Sequence, residues 1–164
     1  MLKHAILDKT KKYRYILERR WGSDATNVVN FILLNPSTAD ATLDDPTVRA
    51  CIKFAQQWKF DGLFITNLFA FRATDPVEMR SCKNPHGNEN DRYLKSIAEK
   101  SRMVVVAWGN HGTHCGRDME VLKILKDIKK LFCLGTTISG SPRHPLYIKR
   151  TVRPQPFRVQ PIFT

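Results

Sequence analysis

The sequence predicts an α/β protein in which helices cover both faces of a mostly parallel central sheet. Four apolar runs have the length and composition of buried strands, and helical patterns separate them. Each run ends in polar or small residues. Because the carboxyl ends of parallel strands meet at one edge of an open sheet, where ligands bind, these residues should converge on one site. The four runs are 28–34, 63–66, 103–107 and 131–134.

The length of 164 residues suits a single domain, 1–164, with a core at 11–150 and a basic, proline-containing tail at 151–164 that lies on the surface. No apolar run is long enough to span a membrane, and the first residues lack the apolar stretch of a signal peptide. The four cysteines form no CxxC pair. We therefore expect a cytoplasmic protein with reduced thiols and no membrane partner.

The charge is strongly positive. A formal net charge of +12, from 27 Lys and Arg against 15 Asp and Glu, favours a polyanionic partner, nucleic acid first. A solvated basic face that serves solubility explains the same charge equally well.

The first predicted strand covers 11–21. Tyr13, Tyr15 and Leu17 alternate there with charged residues, which predicts a half-exposed strand at an edge of the sheet. The buried strand at 28–34 follows after a turn.

Three helices are predicted between and after the strands. Asp45 is the expected N-cap of the first, and Pro46 its first residue, because both are strong helix-start signals. This helix should end near residue 58. A long irregular stretch follows Asn67, and further helices are expected at 88–100 and 117–129.

Two asparagines stand directly after neighbouring strands. Asn35 ends the strand at 28–34, and Asn67 ends the strand at 63–66. A side-chain amide both donates and accepts hydrogen bonds, so it can orient a water or pair with the edge of a nucleobase. An Asn-Pro turn that merely leaves the strand is the alternative for Asn35.

His144 lies in a proline-held loop after the last strand. Pro145 biases His144 away from a helical conformation and stiffens its placement. A rigidly held imidazole can stabilise a developing anion or move a proton near neutral pH. Arg143 and Tyr147 add further donors beside it, although a loop histidine bonded to a carbonyl would look the same.

A glycine-rich loop at 109–116 contains a histidine and cysteine cluster. Adjacent ligands are sterically awkward and no second tight pair exists, so we expect no metal and favour a loop that holds a phosphate or a backbone. The possible ligands considered are His111, His114 and Cys115 with Cys82 or His86.

Three aromatic side chains near the strand ends could stack on a base. They are Phe69, Phe71 and Trp108. A buried position in the core is the commoner role for any one of them.

These residues, taken in order, resemble the uracil-DNA glycosylase superfamily over residues 28–147. A closer resemblance is to a bacterial and phage family that is carried as a domain of unknown function and has the same sequence blocks. The blocks in this chain are Asn35-Pro-Ser-Thr-Ala-Asp40, Asn67-Leu-Phe-Ala-Phe-Arg-Ala-Thr-Asp-Pro76, Ala107-Trp-Gly-Asn110 and His144-Pro-Leu-Tyr147.

The resemblance implies a three-layer α/β/α sandwich with a base pocket at the strand ends. It implies that Asn35 positions the attacking water, Asn67 reads the pyrimidine edge and His144 stabilises the departing base. Further base-binding positions that it implies are Pro36, Ser37, Phe69, Phe71, Trp108, Gly109 and Asn110. Contacts to the nucleic-acid backbone are expected from Arg72, Arg143, Tyr147, Lys149 and Arg150.

The sequence departs from the superfamily pattern at two places. Residue 35 is an asparagine where the most active branch has a carboxylate, and Leu146 replaces a serine after His144-Pro145.

The expected function is a DNA glycosylase-like hydrolase that acts on a modified or mismatched base without a cofactor. DNA is favoured over RNA as the partner, and a monomer is favoured. The alternatives are a DNA- or RNA-binding module that retains the pocket but not the reaction, and an enzyme of small nucleotides whose loop at 109–116 holds a phosphate.

Overall fold

The computed structural model describes residues 1–37 and 39–158. Within these residues the chain is an α/β protein with a mixed seven-stranded sheet and four α-helices. The strands are β1 Leu2–Leu7, β2 Arg14–Arg20, β3 Val28–Leu33, β4 Gly62–Asn67, β5 Met103–Val106, β6 Leu131–Cys133 and β7 Gln155–Pro156. The helices are α1 Pro46–Gln57, α2 Pro76–Ser81, α3 Asn90–Lys100 and α4 Arg117–Ile124, and a 3-10 helix spans Asn110–Gly116.

The sheet has a parallel centre and antiparallel flanks. Its strand order is β1-β2-β4-β3-β5-β6-β7. The pairings β4–β3, β3–β5 and β5–β6 are parallel, whereas β1–β2, β2–β4 and β6–β7 are antiparallel. Every residue of β3 and β4 is buried, which is typical of central strands covered on both faces. The sheet is therefore mixed, and not mostly parallel as the sequence predicted.

The prediction of an edge strand at 11–21 is wrong. Residues 2–7, outside the predicted core of 11–150, form β1 and pair with β2 along its length. This pairing places β2 inside the sheet. The charges of β2 are not all solvent-exposed either, because Arg14 and Arg19 are both buried.

Two helices begin at the same kind of signal. The Asp45 side chain accepts a hydrogen bond from the Val48 amide at 2.8 Å, and Pro46 opens α1, as predicted. Asp75 caps α2 in the same way, inside the stretch that the sequence predicted to be irregular. The last helix is shorter than predicted, since α4 ends at Ile124.

The side chains of β3 alternate between two apolar clusters. Phe31 packs in one cluster with residues of α1, and its ring stacks on Trp58 with centroids 5.9 Å apart. Ile32 packs in the other cluster with Leu94 of α3 and Val121 of α4. Because successive side chains of a strand point to opposite faces, α1 and the α3–α4 pair cover different sides of β3.

The described part of the predicted tail returns to the sheet. Gln155 pairs with Cys133, so β7 adds to the edge formed by β6. Phe157 then packs its ring edge against Trp108, with centroids 6.4 Å apart. The rest of the tail, 159–164, lies outside the described residues. Across the described chain, every helix is too short or too polar to span a lipid bilayer.

Candidate active site

A cavity of about 730 Å³ opens at the carboxyl ends of β3, β4 and β5. The sequence predicts that four residues at or after the strand ends line one cleft, and the structure brings all four together. Asn35, Asn67, Gly109 and His144 all line the cavity. Its further lining residues include Arg14, Pro36, Ser37, Asp45, Thr47, Trp108, Asn110, His111 and Tyr147.

Asn35 is held by its amide nitrogen. Its Nδ2 donates to the carbonyl of Ala73 at 2.8 Å and to the carbonyl of Pro36 at 3.1 Å. These bonds identify Nδ2 as the donor and fix the plane of the amide. No described residue donates a hydrogen bond to Oδ1. The side chain therefore keeps an acceptor free at the cavity wall, which is what holding a water molecule requires.

Asn67 is the least satisfied polar side chain of the site. Only 1% of its surface is exposed, and neither its amide nitrogen nor its amide oxygen has a hydrogen-bond partner among the described residues. Its backbone carbonyl accepts from Nδ2 of Asn90 at 2.8 Å. Buried polar groups in proteins are nearly always paired, so an amide with two unpaired atoms beside a cavity indicates a ligand that supplies the partners.

His144 is a neutral imidazole with a defined tautomer. Its Nδ1 accepts a hydrogen bond from the Leu146 amide at 3.2 Å, which places the ring proton on Nε2. Burial lowers the pKa of His144 below its usual value, and the opposing charge of Asp45 only partly offsets this. The ring is therefore a neutral N–H donor at neutral pH. The backbone amide of residue 146 makes this contact, so it does not depend on the side chain at that position.

Arg14 belongs to the site, and the sequence did not identify it. The side chain is 2% exposed, and its Nη1 donates to the carbonyl of Ala39 at 2.8 Å. Its Nε has no hydrogen-bond partner within residues 1–37 and 39–158. Burial lowers the pKa of Arg14 to about 10, which leaves the guanidinium charged at neutral pH. The strand pattern placed Arg14 on a solvent face, and nothing local signals that it lines a cavity.

Asp45 brings a carboxylate into the cavity. Its Oδ1 accepts from the Val48 amide at 2.8 Å, and its Oδ2 accepts from the Ser37 hydroxyl at 2.5 Å. It is the one carboxylate among the described residues that line the cavity. The sequence predicted only the helix cap, because the proximity of Ser37 to Asp45 depends on how the loop folds.

Trp108 forms a wall that depends on a neighbouring glycine. The indole is 2% exposed, and its Nε1 has no partner among the described residues. A Cβ at Gly112 would lie 2.1 Å from Cδ1 of Trp108, so only glycine fits there. Next to Trp108, the Gly109 amide donates to the Pro142 carbonyl at 2.8 Å and ties this strand end to the His144 loop. Gly112 of the 109–116 loop is therefore needed for close packing against Trp108.

Two predicted stacking residues do not line the cavity. Phe69 is buried in the core and packs against the His114 ring, with centroids 5.7 Å apart. Phe71 packs edge-on against Tyr13, also at 5.7 Å. Phe69 is therefore part of the core, whereas Phe71 is half-buried and lines a second, adjoining cavity. Trp108 is the predicted aromatic residue that does line it.

The predicted backbone-binding residues are dispersed. Tyr147 lines the cavity, is 97% exposed and has a positive φ of 67°. Arg143 and Lys149 are exposed, and Arg143 lines a separate surface hollow. Arg150 turns inward, where Nη1 donates to the Ile148 carbonyl at 2.7 Å, so it supports the loop that carries His144. Arg72 lines a second cavity that adjoins the first.

The remaining sequence candidates concern the cavity rim and a metal. The Asn110 Oδ1 accepts from the hydroxyls of Thr137 and Ser139 at 2.7 and 2.9 Å, so this oxygen is already paired. Within residues 1–37 and 39–158, no group of three His, Cys, Asp or Glu side chains is placed to hold a metal ion.

Comparisons with known proteins match one family. No curated protein and no solved structure matches the chain. A family model described as "Protein of unknown function (DUF1643)" matches residues 14–146. That range contains β2 to β6 and every residue that lines the cavity except Tyr147. This chain therefore belongs to the DUF1643 family.

Proposed function

We propose that the protein binds a nucleobase in the cavity and hydrolyses its N-glycosidic bond, as a DNA glycosylase-like enzyme for a modified or mismatched base. One observation carries the proposal. The Asn67 amide is buried with both polar atoms unpaired, in a cavity that it shares with Asn35 and His144. An amide presents a donor beside an acceptor, which complements the edge of a planar base.

The same cavity holds groups for each step of the hydrolysis. The free Oδ1 of Asn35 would accept from a water and direct its oxygen towards C1′. As the new C–O bond forms, the bond from C1′ to the base breaks, and the base leaves with the bonding electrons. The Nε2–H of His144 would donate to the resulting anion, and Asp45 would take the proton of the attacking water.

The resemblance to the uracil-DNA glycosylase superfamily supports this assignment. The matching blocks occur in the same order, and the residues at their functional positions line one cavity. We extend the proposal to the three-layer α/β/α architecture of that superfamily. The parallel centre of the sheet and the two apolar clusters beside β3 agree with it. Under this proposal Asp45, which caps α1 and lines the cavity, would supply the carboxylate that residue 35 lacks.

The net charge of +12 supports a nucleic acid as the partner. Binding that neutralises phosphates releases counterions, so affinity for DNA should fall steeply as salt rises. Affinity that does not change with salt would contradict a nucleic-acid partner.

A second candidate is a DNA-binding module without the reaction. The asparagine at residue 35 favours it, because an amide can hold a water but cannot take its proton. The two candidates share the cavity and differ in whether a base is released.

Product analysis separates the two candidates. The protein is incubated with duplexes that contain uracil, a mismatched base or a hypermodified base, and free bases are measured. The enzyme is supported by release that falls about a hundredfold or more in His144→Ala, as for a lost anion-stabilising donor, while DNA binding is retained. Retention of DNA without release supports the module. Neither release nor retention would refute both.

A further inference from the structure

Three arginines of the chain are buried, and two of them have carboxylate partners. Arg19 forms an ion pair with Asp44 at 2.8 Å. Arg117 forms one with Asp91 at 2.6 Å and a second with a glutamate of its own helix at 2.7 Å. Buried charges in proteins are normally paired in this way, since the loss of hydration is costly.

Arg14 is the exception. No carboxylate of the described residues lies within the 4.0 Å of an ion pair, Nε has no partner, and Nη1 reaches only the Ala39 carbonyl. Arg14 is also the buried arginine that lines the cavity. The side chain therefore keeps a charge and an unpaired donor at a ligand-binding surface.

Charges of both signs lie around Arg14. Asp45 and Asp40 favour its charged form, while Arg72 and Arg19 oppose it. The carboxylate of Asp45 already accepts two hydrogen bonds and forms no ion pair with Arg14 within the described chain. Protein groups thus leave the guanidinium without a direct counter-ion, and an anionic ligand can supply one.

A basic groove continues outward from this point. A second cavity of about 590 Å³ shares Ser37, Ala73 and Thr74 with the first. Its other lining residues are Lys11, Lys12, Phe71, Arg72 and Glu78. Three cations against one carboxylate give it the sign of charge that a phosphate chain requires.

We propose that Arg14 binds a phosphate of the nucleotide whose base enters the cavity, and that the attached strand runs along the groove of Lys11, Lys12 and Arg72. The base in this arrangement rests on the proposed function, but the phosphate contact does not. The planar guanidinium fork matches the oxygens of a phosphate. The substrate is then a phosphorylated nucleotide unit, and a free base or nucleoside is a poor ligand.

The test uses probes without a base, so that an error about the base cannot disturb it. Calorimetric titrations compare 2-deoxyribose 5-phosphate and inorganic phosphate with 2-deoxyribose. The natural protein should bind the phosphate-containing probes and not the plain sugar. Arg14→Gln should lower the affinity for the phosphate-containing probes about tenfold or more, because a hydrogen bond to a charged group is lost. Arg14→Lys keeps the positive charge without the planar guanidinium, so its phosphate affinity should lie between those of the natural protein and Arg14→Gln.

Two control variants sharpen the result. Arg102→Gln removes the same charge at the amino end of β5, the opposite edge of the sheet, and should leave phosphate binding unchanged. Lys126→Gln should also leave it unchanged, because this exposed cation lines neither cavity. Unfolding curves establish that each variant is folded before it is titrated.

A tetranucleotide distinguishes a strand from a free nucleotide. The double variant Lys11→Gln and Lys12→Gln should bind the tetranucleotide more weakly, and its affinity for 2-deoxyribose 5-phosphate should not change. Equal phosphate affinity in Arg14→Gln, Arg14→Lys and the natural protein, or no phosphate binding at all, would overturn the proposal. If phosphate binding fails this test while bases are still released from DNA, only the phosphate site is refuted. If phosphate is bound through Arg14 but no base is recognised, only the proposed function is refuted.

Discussion

Replacing Asn67 by leucine should make the ligand-free protein more stable while it removes base binding. The two side chains have a similar shape, and Asn67 is almost fully buried with both amide atoms unpaired. Burial of such a group without hydrogen bonds costs about 1–3 kcal/mol in proteins. Asn67→Leu should therefore raise the free energy of unfolding by about 1–3 kcal/mol, and the melting temperature by roughly 2–4 °C for each kcal/mol.

Asn90 provides the matched control, because it is equally buried but its amide nitrogen is hydrogen-bonded. Its Nδ2 donates to the carbonyls of Asn67 and Leu68 at 2.8 and 3.1 Å. Asn90→Leu removes both bonds and leaves the Asn67 carbonyl without this donor. It should lower the free energy of unfolding by about 1–3 kcal/mol.

Urea unfolding of the two variants and the natural protein, in the absence of ligand, provides the measurement. The two substitutions should change the free energy of unfolding in opposite directions. An Asn67→Leu protein that is destabilised as much as Asn90→Leu would refute it, because the amide would then have partners in solution. A titration with a base-containing DNA should show weaker binding for Asn67→Leu.

Three further predictions concern other parts of the molecule. The pKa of His144 in the folded protein lies below its usual 6.5, so near and below pH 6.5 the unfolded chain binds more protons than the folded one. The free energy of unfolding should therefore fall as pH drops below about 6.5. His144→Gln should make this pH dependence weaker, as measured by urea unfolding at several pH values. Arg19→Met removes a buried guanidinium that pairs with Asp44 and donates to two backbone carbonyls. It should lower the free energy of unfolding by about 1–3 kcal/mol, measured the same way. Gly112→Ala should cost about 1–3 kcal/mol by forcing Trp108 to move, and a tryptophan fluorescence spectrum identical to that of the natural protein would contradict this.

The elements that could be predicted are those with a clear local hydrophobic pattern. β3 and β4 are buried at every position, so continuous apolar runs identified them. The convergence of Asn35 and Asn67 followed from the rule for parallel strand ends. These features need no knowledge of distant contacts.

The unpredicted part depends on contacts between distant segments. β1 has three exposed residues at its start, so its sequence carries little apolar signal, yet its pairing moves β2 away from the sheet edge. Arg14 is buried because distant segments, including the carbonyl of Ala39, close over it. The burial of Phe69 was open for the same reason, since an aromatic residue after a strand can enter the core or a pocket.

Asp45 also bears on how substitutions across the DUF1643 family can be interpreted. Asparagine, serine and threonine can all cap a helix, at a small cost relative to aspartate. If capping were the sole demand at this position, all four residue types would be free to replace one another over time. A position restricted to aspartate would instead show selection for the negative charge. Under the proposed function, relatives with aspartate here would keep the proton acceptor, and relatives with an uncharged cap would bind without the reaction.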